Sequence, residues 1–220
     1  MQLIEDLRAD HDLIEQVLGS LRAFVTARLA GQGDPADGPV FTAFFRQFAG
    51  ECHHAKEEEV LFRALCEQAE LPADRGPIAA LTLEHKRMGE TLEAMASLLE
   101  APLAETADRL RLQSLAVDYS RSLWRHIDAE NSVLFPESLN HLRRFHIREL
   151  PAPPMTEAQR AARDAGAALL AVYPPQPDRE VLRGDGCVAC PSYLVTCDGL
   201  EQEWWTELMW KDRDDRMGGD

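Results

Sequence analysis

The sequence predicts an all-α fold: an antiparallel up-down-up-down four-helix bundle with a C-terminal helical and irregular extension. Four long segments carry apolar residues every three or four positions, clusters of Gly and Pro separate them, and β-branched alternation is scarce. Short connections favour antiparallel neighbours. The Pro-rich stretch that begins near residue 149 marks a change of character. We therefore expect a bundle over residues 1–148, and a linker with a Cys- and Trp-bearing extension over 149–220.

Each of the four segments has one stripe of residues predicted to face the core. The first ends in the Gly-rich residues 31–38, and the second ends near "ELPADRGP". The third is the most regular, and the fourth runs from about residue 105 to 135. Residues 156–172 favour one more helix. The predicted inward residues are Leu7, His11, Ile14, Leu18 and Leu21; Phe41, Phe44, Phe48, His53, Val60 and Ala64; Leu81, His85, Met88, Leu92, Met95 and Leu99; and Leu112, Leu115, Tyr119, Leu123, His126, Glu130 and Val133.

Composition and charge exclude several classes of partner. The 220 residues carry a formal net charge of −15, so the chain lacks the basic surface that neutralises nucleic-acid phosphates. No stretch has the ~18 consecutive apolar residues of a membrane span. The N-terminus begins with acids and helical periodicity, without the basic and apolar regions of a signal peptide. We expect no nucleic acid, no membrane and a cytoplasmic location.

Four of the seven histidines lie on the four inward stripes, one in each segment: His11, His53, His85 and His126. A single histidine on an apolar face is usually a hydrogen-bonded core residue, and a bundle with core histidines and no metal is the plainest interpretation. One in every helix is a much less probable coincidence. The pattern therefore favours imidazoles that converge at one site in the core.

Two of these histidines have a glutamate four residues later. His53 precedes Glu57 and His126 precedes Glu130, and positions i and i+4 share one helix face. His11 and His53 are 42 residues apart, and His85 and His126 are 41 apart, so the pattern occurs twice. An antiparallel bundle would relate the two halves by a pseudo-twofold axis. Two carboxylates and four imidazoles would then converge close to that axis.

Metal ions would explain why two glutamates lie on core-facing stripes. A buried carboxylate without a cation costs several kcal/mol. Imidazole with carboxylate suits Fe, Mn or Zn, and a pair of ions bridged by glutamate favours Fe or Mn. Six ligands are too many for a single tetrahedral Zn²⁺, which makes a structural zinc site the weaker interpretation. The predicted ligands are His11, His53, Glu57, His85, His126 and Glu130.

Residues 1–145 resemble the hemerythrin-like, or HHE cation-binding, proteins. The motifs that carry the resemblance are "DHDLIEQVL", "CHHAKEEEVLF", "LEHKRMGETL" and "RHIDAENSVLFP". The resemblance implies a non-haem diiron centre inside a four-helix bundle, with Glu57 and Glu130 as bridging carboxylates. Oxygen-carrying members have a second histidine in the third helix, four residues after the first. Gly89 occupies that position here, which implies open coordination at one iron and argues against simple reversible O₂ carriage.

Histidines 53 and 54 are adjacent, and each has a glutamate four residues later. Leu134 lies eight residues after His126, and Leu61 lies eight after His53. This register assigns His53 and Glu57 to the site and directs His54 and Glu58 sideways. Lys56, Glu58 and Glu59 are then expected on a solvated face.

Tyr119 lies two helical turns before His126 on the same stripe. It is either a core residue or a hydrogen-bond donor and one-electron relay beside the metals. Cys52 adjoins His53, and burial would make its thiol inert. His141 and His146, among basic residues, are expected at the surface.

The extension leaves several alternatives open. Cys187, Cys190 and Cys197 would hold Zn or an iron–sulfur cluster, form a redox disulfide, or remain plain thiols. An apolar patch of Trp204, Trp205 and Trp210 would cover the bundle or dock a protein partner. The resemblance does not reach this part of the chain.

These observations lead to three functional hypotheses. The first is a diiron protein that binds or reacts with O₂ or its reduced products, in sensing, in handling peroxide or nitric oxide, or in protection against oxidative stress. The second is a diiron oxygenase or oxidase that acts on a small organic substrate. The third is an interaction protein that docks through its extension with the metal site as a switch.

Overall fold

A computed structural model describes residues 1–74 and 76–178 of the chain. Within those ranges the fold is all-α, five helices carry the structure, and a short 3₁₀ turn, Pro35–Asp37, precedes the second. The first four form the bundle, so the predicted fold class is confirmed. The helices are α1 (Gln2–Leu29), α2 (residues 38–68), α3 (Gly76–Glu100), α4 (residues 106–144) and α5 (Glu157–Val172).

Helices α2 and α4 change their winding where they carry the predicted ligands. In α2, π-helical segments Phe44–His54 and Glu57–Phe62 lie between the α-helical ends. In α4, the π-helical segment Glu130–Leu134 follows Thr106–Ala129 and precedes Phe135–Arg144. A π-helix bonds residue i to i+5, and it occurs most often at functional sites. The wider turn shifts which side chains share a face. Pro136, which has no N–H to donate, is the second residue after the last of these segments.

The core consists of two apolar clusters with a polar layer between them. One cluster lies toward the C-terminal end of α1 and includes Leu18, Phe24 and Phe44. The other surrounds the N-terminal end of α1 and includes Leu3 and Leu7. His11 lies in α1 between Leu7 and Ile14, so the histidines lie where the two clusters meet. Apolar packing therefore surrounds the predicted site at both ends.

Helix α5 confirms the helix expected over residues 156–172, and it packs against α1 and α2. Thr156 and Gln159 form a reciprocal capping box at its N-terminus. At Gly166 an added Cβ would lie 2.2 Å from Cδ2 of Phe44, so only glycine permits this approach. Leu169 is buried in the first apolar cluster. The domain division after residue 148 stays a prediction.

Two histidines near the end of α4 were predicted to lie at the surface, and the structure confirms one of these predictions. His141 was expected at the surface, but it is buried, and its Nε2–H donates to the carbonyl of Ala69 at 2.6 Å. The basic neighbours that suggested exposure point away, because only one face of the helix end packs on the core. His146 is exposed as expected.

Residues 179–220 lie outside the described part of the chain. The predictions for Cys187, Cys190 and Cys197 and for Trp204, Trp205 and Trp210 therefore stay predictions. In the described part, no helical segment combines the length and the apolar character that a bilayer crossing requires.

Candidate metal centre

The structure brings all six predicted ligands together between the two apolar clusters. They form two groups in which the potential ligand atoms lie within 4.8 Å of one another. We call them the first and second groups. The first contains His11, His53, Glu57 and Glu130, and the second contains His54, Glu57, His85 and His126.

Each of the two glutamates directs one oxygen toward each group. Glu57 Oε1 lies 3.3 Å from His53 Nε2, and its Oε2 lies 3.5 Å from His85 Nε2. Glu130 Oε2 lies 3.2 Å from His11 Nε2, and its Oε1 lies 3.2 Å from His126 Nε2. Both carboxylates are completely buried. Glu57 therefore belongs to both groups, and Glu130, a member of the first group, also contacts a histidine of the second.

Four of the histidines direct Nε2 toward the centre and Nδ1 outward to a polar partner. His11 Nδ1–H donates to Asn131 Oδ1 at 3.0 Å, and His85 Nδ1–H donates to Glu58 Oε1 at 2.7 Å. The other partners are Glu84 Oε2, 2.9 Å from His126 Nδ1, and Asp10 Oδ2, 3.5 Å from His53 Nδ1. Such partners fix the tautomer and orientation of a metal-bound imidazole.

The outer partners repeat the internal symmetry of the sequence. Asp10 and Glu84 each precede the single histidine of their own helix, and each supports the histidine of the following helix. Glu58 and Asn131 each follow a central glutamate, and each supports the single histidine of the other half: Glu58 in α2 supports His85 in α3, and Asn131 in α4 supports His11 in α1. None of these four residues was predicted to support a histidine. The sequence does contain a pattern that could have identified them, because polar residues occupy equivalent positions next to the predicted ligands in both halves of the repeat.

Two predictions for α2 need correction. His54 was expected to point sideways, but its Nε2 belongs to the second group, and its ring stacks on that of His85 at 3.9 Å. The register argument assumed an α-helix, whereas the π-helical winding turns both adjacent histidines toward the core. Lys56 was expected on a solvated face, but its side chain is only 11% exposed and its Nζ donates to Asp10 at 2.9 Å. Glu58 is partly exposed, as expected, and it also supports His85.

The two buried carboxylates favour positive charge on the groups beside them. Burial lowers the pKa of His53, but Glu57 and Asp10 outweigh it and raise that pKa to about 9. Burial likewise opposes charge on His126, yet Glu130 and Glu84 raise its pKa to about 10. Burial raises the pKa of Glu130, but the imidazoles of His126 and His11 hold it well below its usual value.

The pKa of His54 shifts in the opposite direction from those of His53 and His126. Burial and the neighbouring imidazoles of His85 and His126 lower its pKa well below its usual value. A neutral imidazole is the form that binds a metal ion. Protons on His53 and His126 partly offset the charge of the carboxylates, and metal ions would replace those protons.

The chemistry of the donor set fits metal ions. Both oxygens of Glu57 and of Glu130 are buried and lack a hydrogen-bond partner, as do Nε2 of His11, His53 and His54. Buried polar atoms normally have partners, and bound cations would satisfy this cluster of lone pairs. Imidazole nitrogens with carboxylate oxygens are the ligands of Fe, Mn and Zn.

Tyr119 lies at the edge of the site. It is buried, its ring packs edge-on against Phe45 at 5.3 Å, and burial raises the pKa of its hydroxyl. It lines a pocket that also contacts His54, His85 and Gly89. Its role as a donor or relay stays a prediction. Cys52 is buried, and burial raises its thiol pKa, as expected for an unreactive thiol.

Comparison with known proteins agrees with this geometry. The chain is 33% identical over 92 residues to a protein of Edwardsiella ictaluri named iron-sulfur cluster repair protein YtfE. That alignment covers 40% of this chain and 41% of the relative, so the chain spans less than half of the relative's length. No solved structure matches. A family model, the hemerythrin HHE cation-binding domain, matches residues 2–138, which include every histidine and glutamate of the two groups. The chain therefore belongs to the hemerythrin HHE cation-binding family.

Proposed function

We propose that the site holds two non-haem iron ions, one in each group, and that the protein binds or reacts with O₂ or its reduced products. The observation that carries this proposal is the position of Glu57 and Glu130. Each presents one oxygen to the first group and the other oxygen to the second. Shared carboxylates suit a pair of ions better than a single one. Manganese would fit the same ligands.

Bound iron would supply one-electron redox chemistry and coordination positions for a small ligand. The protein supplies the ligands of the ions and the apolar surroundings of the site. The first group would hold one ion with His11 and His53, and the second would hold the other with His54, His85 and His126. Apolar side chains at both ends pack around the site and keep the ligands in one arrangement.

The relative's name supports a role in oxidative-stress handling. That protein is named for iron–sulfur cluster repair, and it matches this chain over less than half of either sequence. We propose that this chain acts in the same general area, through the reactivity of its own metal centre. Sensing of O₂, peroxide or nitric oxide falls within the same chemistry.

A repair assay tests this role. Iron-loaded protein is added to an enzyme whose iron–sulfur cluster has been damaged by peroxide, and the recovery of that enzyme's activity is followed. We expect recovery with the native chain and none with Glu130→Gln, which loses one shared carboxylate. The matched control is Glu90→Gln, an exposed glutamate outside both groups. Equal recovery with all three proteins would contradict the role.

A second candidate function is oxidation of a small organic substrate. The pocket beside His54 and His85 has a volume of about 470 Å³, enough for a small organic molecule. Oxygen uptake separates the two candidates. Uptake that stops once the bound ferrous iron is oxidised supports the first, whereas continuous uptake that requires an added organic compound and a reductant supports the second.

We further propose that a protein partner docks on this chain through Trp204, Trp205 and Trp210. A pulldown with alanine at Trp204 and Trp205, with and without iron, tests it. Loss of binding only in those variants supports docking, and dependence on iron supports a switch.

A further inference from the structure

One pocket in the described part of the chain reaches the second group from the protein surface. It opens between α2 and α3 and is lined at its inner end by His54, His85 and Tyr119. Its volume is about 470 Å³. His54 is partly exposed, whereas every member of the first group is at most 1% exposed.

Gly89 lies at this opening. It follows His85 by one helical turn on the same face of α3 and lines the pocket. A Cβ placed on Gly89 would have no atom within 4 Å. Gly89 has a helical conformation, so no turn requires a glycine here. A larger side chain would instead extend into the pocket beside His85.

On the opposite side of the centre, side chains of the described residues cover His11. His11 stacks on Phe135 at 5.4 Å, and Arg8 covers the outer face of that ring while donating to the carbonyl of Asn131 at 3.0 Å. In α1 the position equivalent to Gly89 is Glu15, four residues after His11. The pocket on that side is lined by Glu15 and by residues 175–178, and no member of either group reaches it.

The lining indicates what the open pocket would admit. Its inner walls include the apolar side chains of Phe45, Met88 and Leu92. Four acidic residues and two basic residues complete the lining, so the opening carries net negative charge. Small uncharged molecules can pass such an opening, whereas anions are repelled. The charged lining residues are Glu51, Glu58, Glu59, Glu93, Arg46 and Lys86.

We propose that small uncharged ligands reach the metal centre through this pocket and bind on the side of the second group, with Gly89 setting the size that can enter. This inference rests on the proposed function, because it assumes that the second group holds a metal ion. To that function the inference adds the side from which a ligand enters, the chemical class of the ligand and the residue that limits its size.

Stopped-flow association of nitric oxide, an uncharged probe, with anaerobic iron-loaded protein tests the proposal. The variants are Gly89→Ala, Gly89→Leu and Gly89→Trp. We expect alanine to leave the association rate unchanged and tryptophan to reduce it about tenfold, equivalent to about 1.4 kcal/mol in the barrier. Iron content and thermal melting of each variant establish that the centre and fold are intact. The matched control is Gln16→Trp, an exposed position in the pocket lined by Glu15.

A second readout requires no iron. Diethyl pyrocarbonate modifies accessible imidazoles, and peptide mapping identifies which ones. In protein purified without added metal we expect modification of His54 before His11 and His53, and protection of His54 in Gly89→Trp. An unchanged nitric oxide rate across the Gly89 series, slowing by Gln16→Trp instead, or first modification of His11 would overturn the proposal. Failure to bind iron or nitric oxide at all would instead contradict the proposed function.

Discussion

Glu84 accepts a hydrogen bond from Nδ1 of His126 at 2.9 Å, although Glu84 belongs to the helix of a different ligand, His85. A longer ionic contact, 3.5 Å between Oδ2 of Asp10 and Nδ1 of His53, likewise joins Asp10, which precedes His11, to the next helix. Each helix of the bundle therefore carries at least one predicted ligand and also supports a predicted ligand of a neighbour. The centre is held by contacts between helices, and losing one outer residue should affect a ligand on another helix.

Replacing Glu84 by alanine should weaken metal binding. His126 would lose the acceptor that orients its ring and raises its basicity, and such losses typically cost about 10- to 100-fold in metal affinity. Competition with a chelator of known affinity measures the change. Glu90→Ala is the control, because Glu90 lies in the same helix, is exposed and only approaches Lys86 at 4.0 Å. Equal affinity of the two variants would show that Glu84 has no supporting role.

Replacing His54 by alanine should lower the iron capacity of the protein. The second group would keep His85 and His126 but lose its third imidazole, while the first group would remain complete. We expect iron per chain to fall from about two toward one under limiting iron. Iron analysis after gel filtration measures this. The control is His146→Ala, which removes an exposed histidine. Full iron content in the His54 variant would contradict its assignment as a ligand.

Gly166→Ala should destabilise the fold, although alanine favours helices. The new methyl group would meet the ring of Phe44, and overpacking a core typically costs about 1–3 kcal/mol. Thermal unfolding should shift downward by several degrees. Gly89→Ala is the matched control, because its Cβ enters open space and should raise stability by about 0.5–1 kcal/mol. A stabilised Gly166 variant would mean that α5 does not pack tightly on α2.

His141 should make stability depend on pH in mildly acidic solution. Burial lowers its pKa below the ordinary 6.5, so the unfolded chain binds a proton more readily than the folded one. The stability gained from neutral His141 is present above pH 6.5 and is lost as the pH falls below it. His141→Gln can still donate to Ala69 but does not titrate. Chemical denaturation at several pH values should show a shallower acid-side loss in the variant, and an identical slope would refute this assignment.

The bundle and the convergence of the six predicted ligands follow from the sequence for one reason. A polar residue on an otherwise apolar stripe is costly, so His11 or Glu130 in such a position already indicates a partner in the core. The regular stripe of α3 also fixes the register of His85. These features depend only on the helical repeat and on the cost of burying polar groups.

The other features of the site and the fold could not be predicted, because they depend on properties that the α-helical repeat does not describe. His54 joins the second group because α2 winds as a π-helix, and residue spacing alone does not reveal that change. Asp10 and Glu58 resemble ordinary surface acids until the neighbouring helices are in place. The close approach of Gly166 to Phe44 is likewise a tertiary contact, since a glycine within a helical pattern carries no information about its neighbour.

The number and magnetic state of the bound ions test the central claim most directly. Protein reconstituted with ferrous iron under nitrogen, then oxidised, is analysed for iron and examined by electron paramagnetic resonance and Mössbauer spectroscopy. Our account predicts two iron ions per chain that are magnetically coupled through Glu57 and Glu130, with no signal of isolated ferric iron. A single uncoupled ferric ion per chain, or no retained iron, would contradict it.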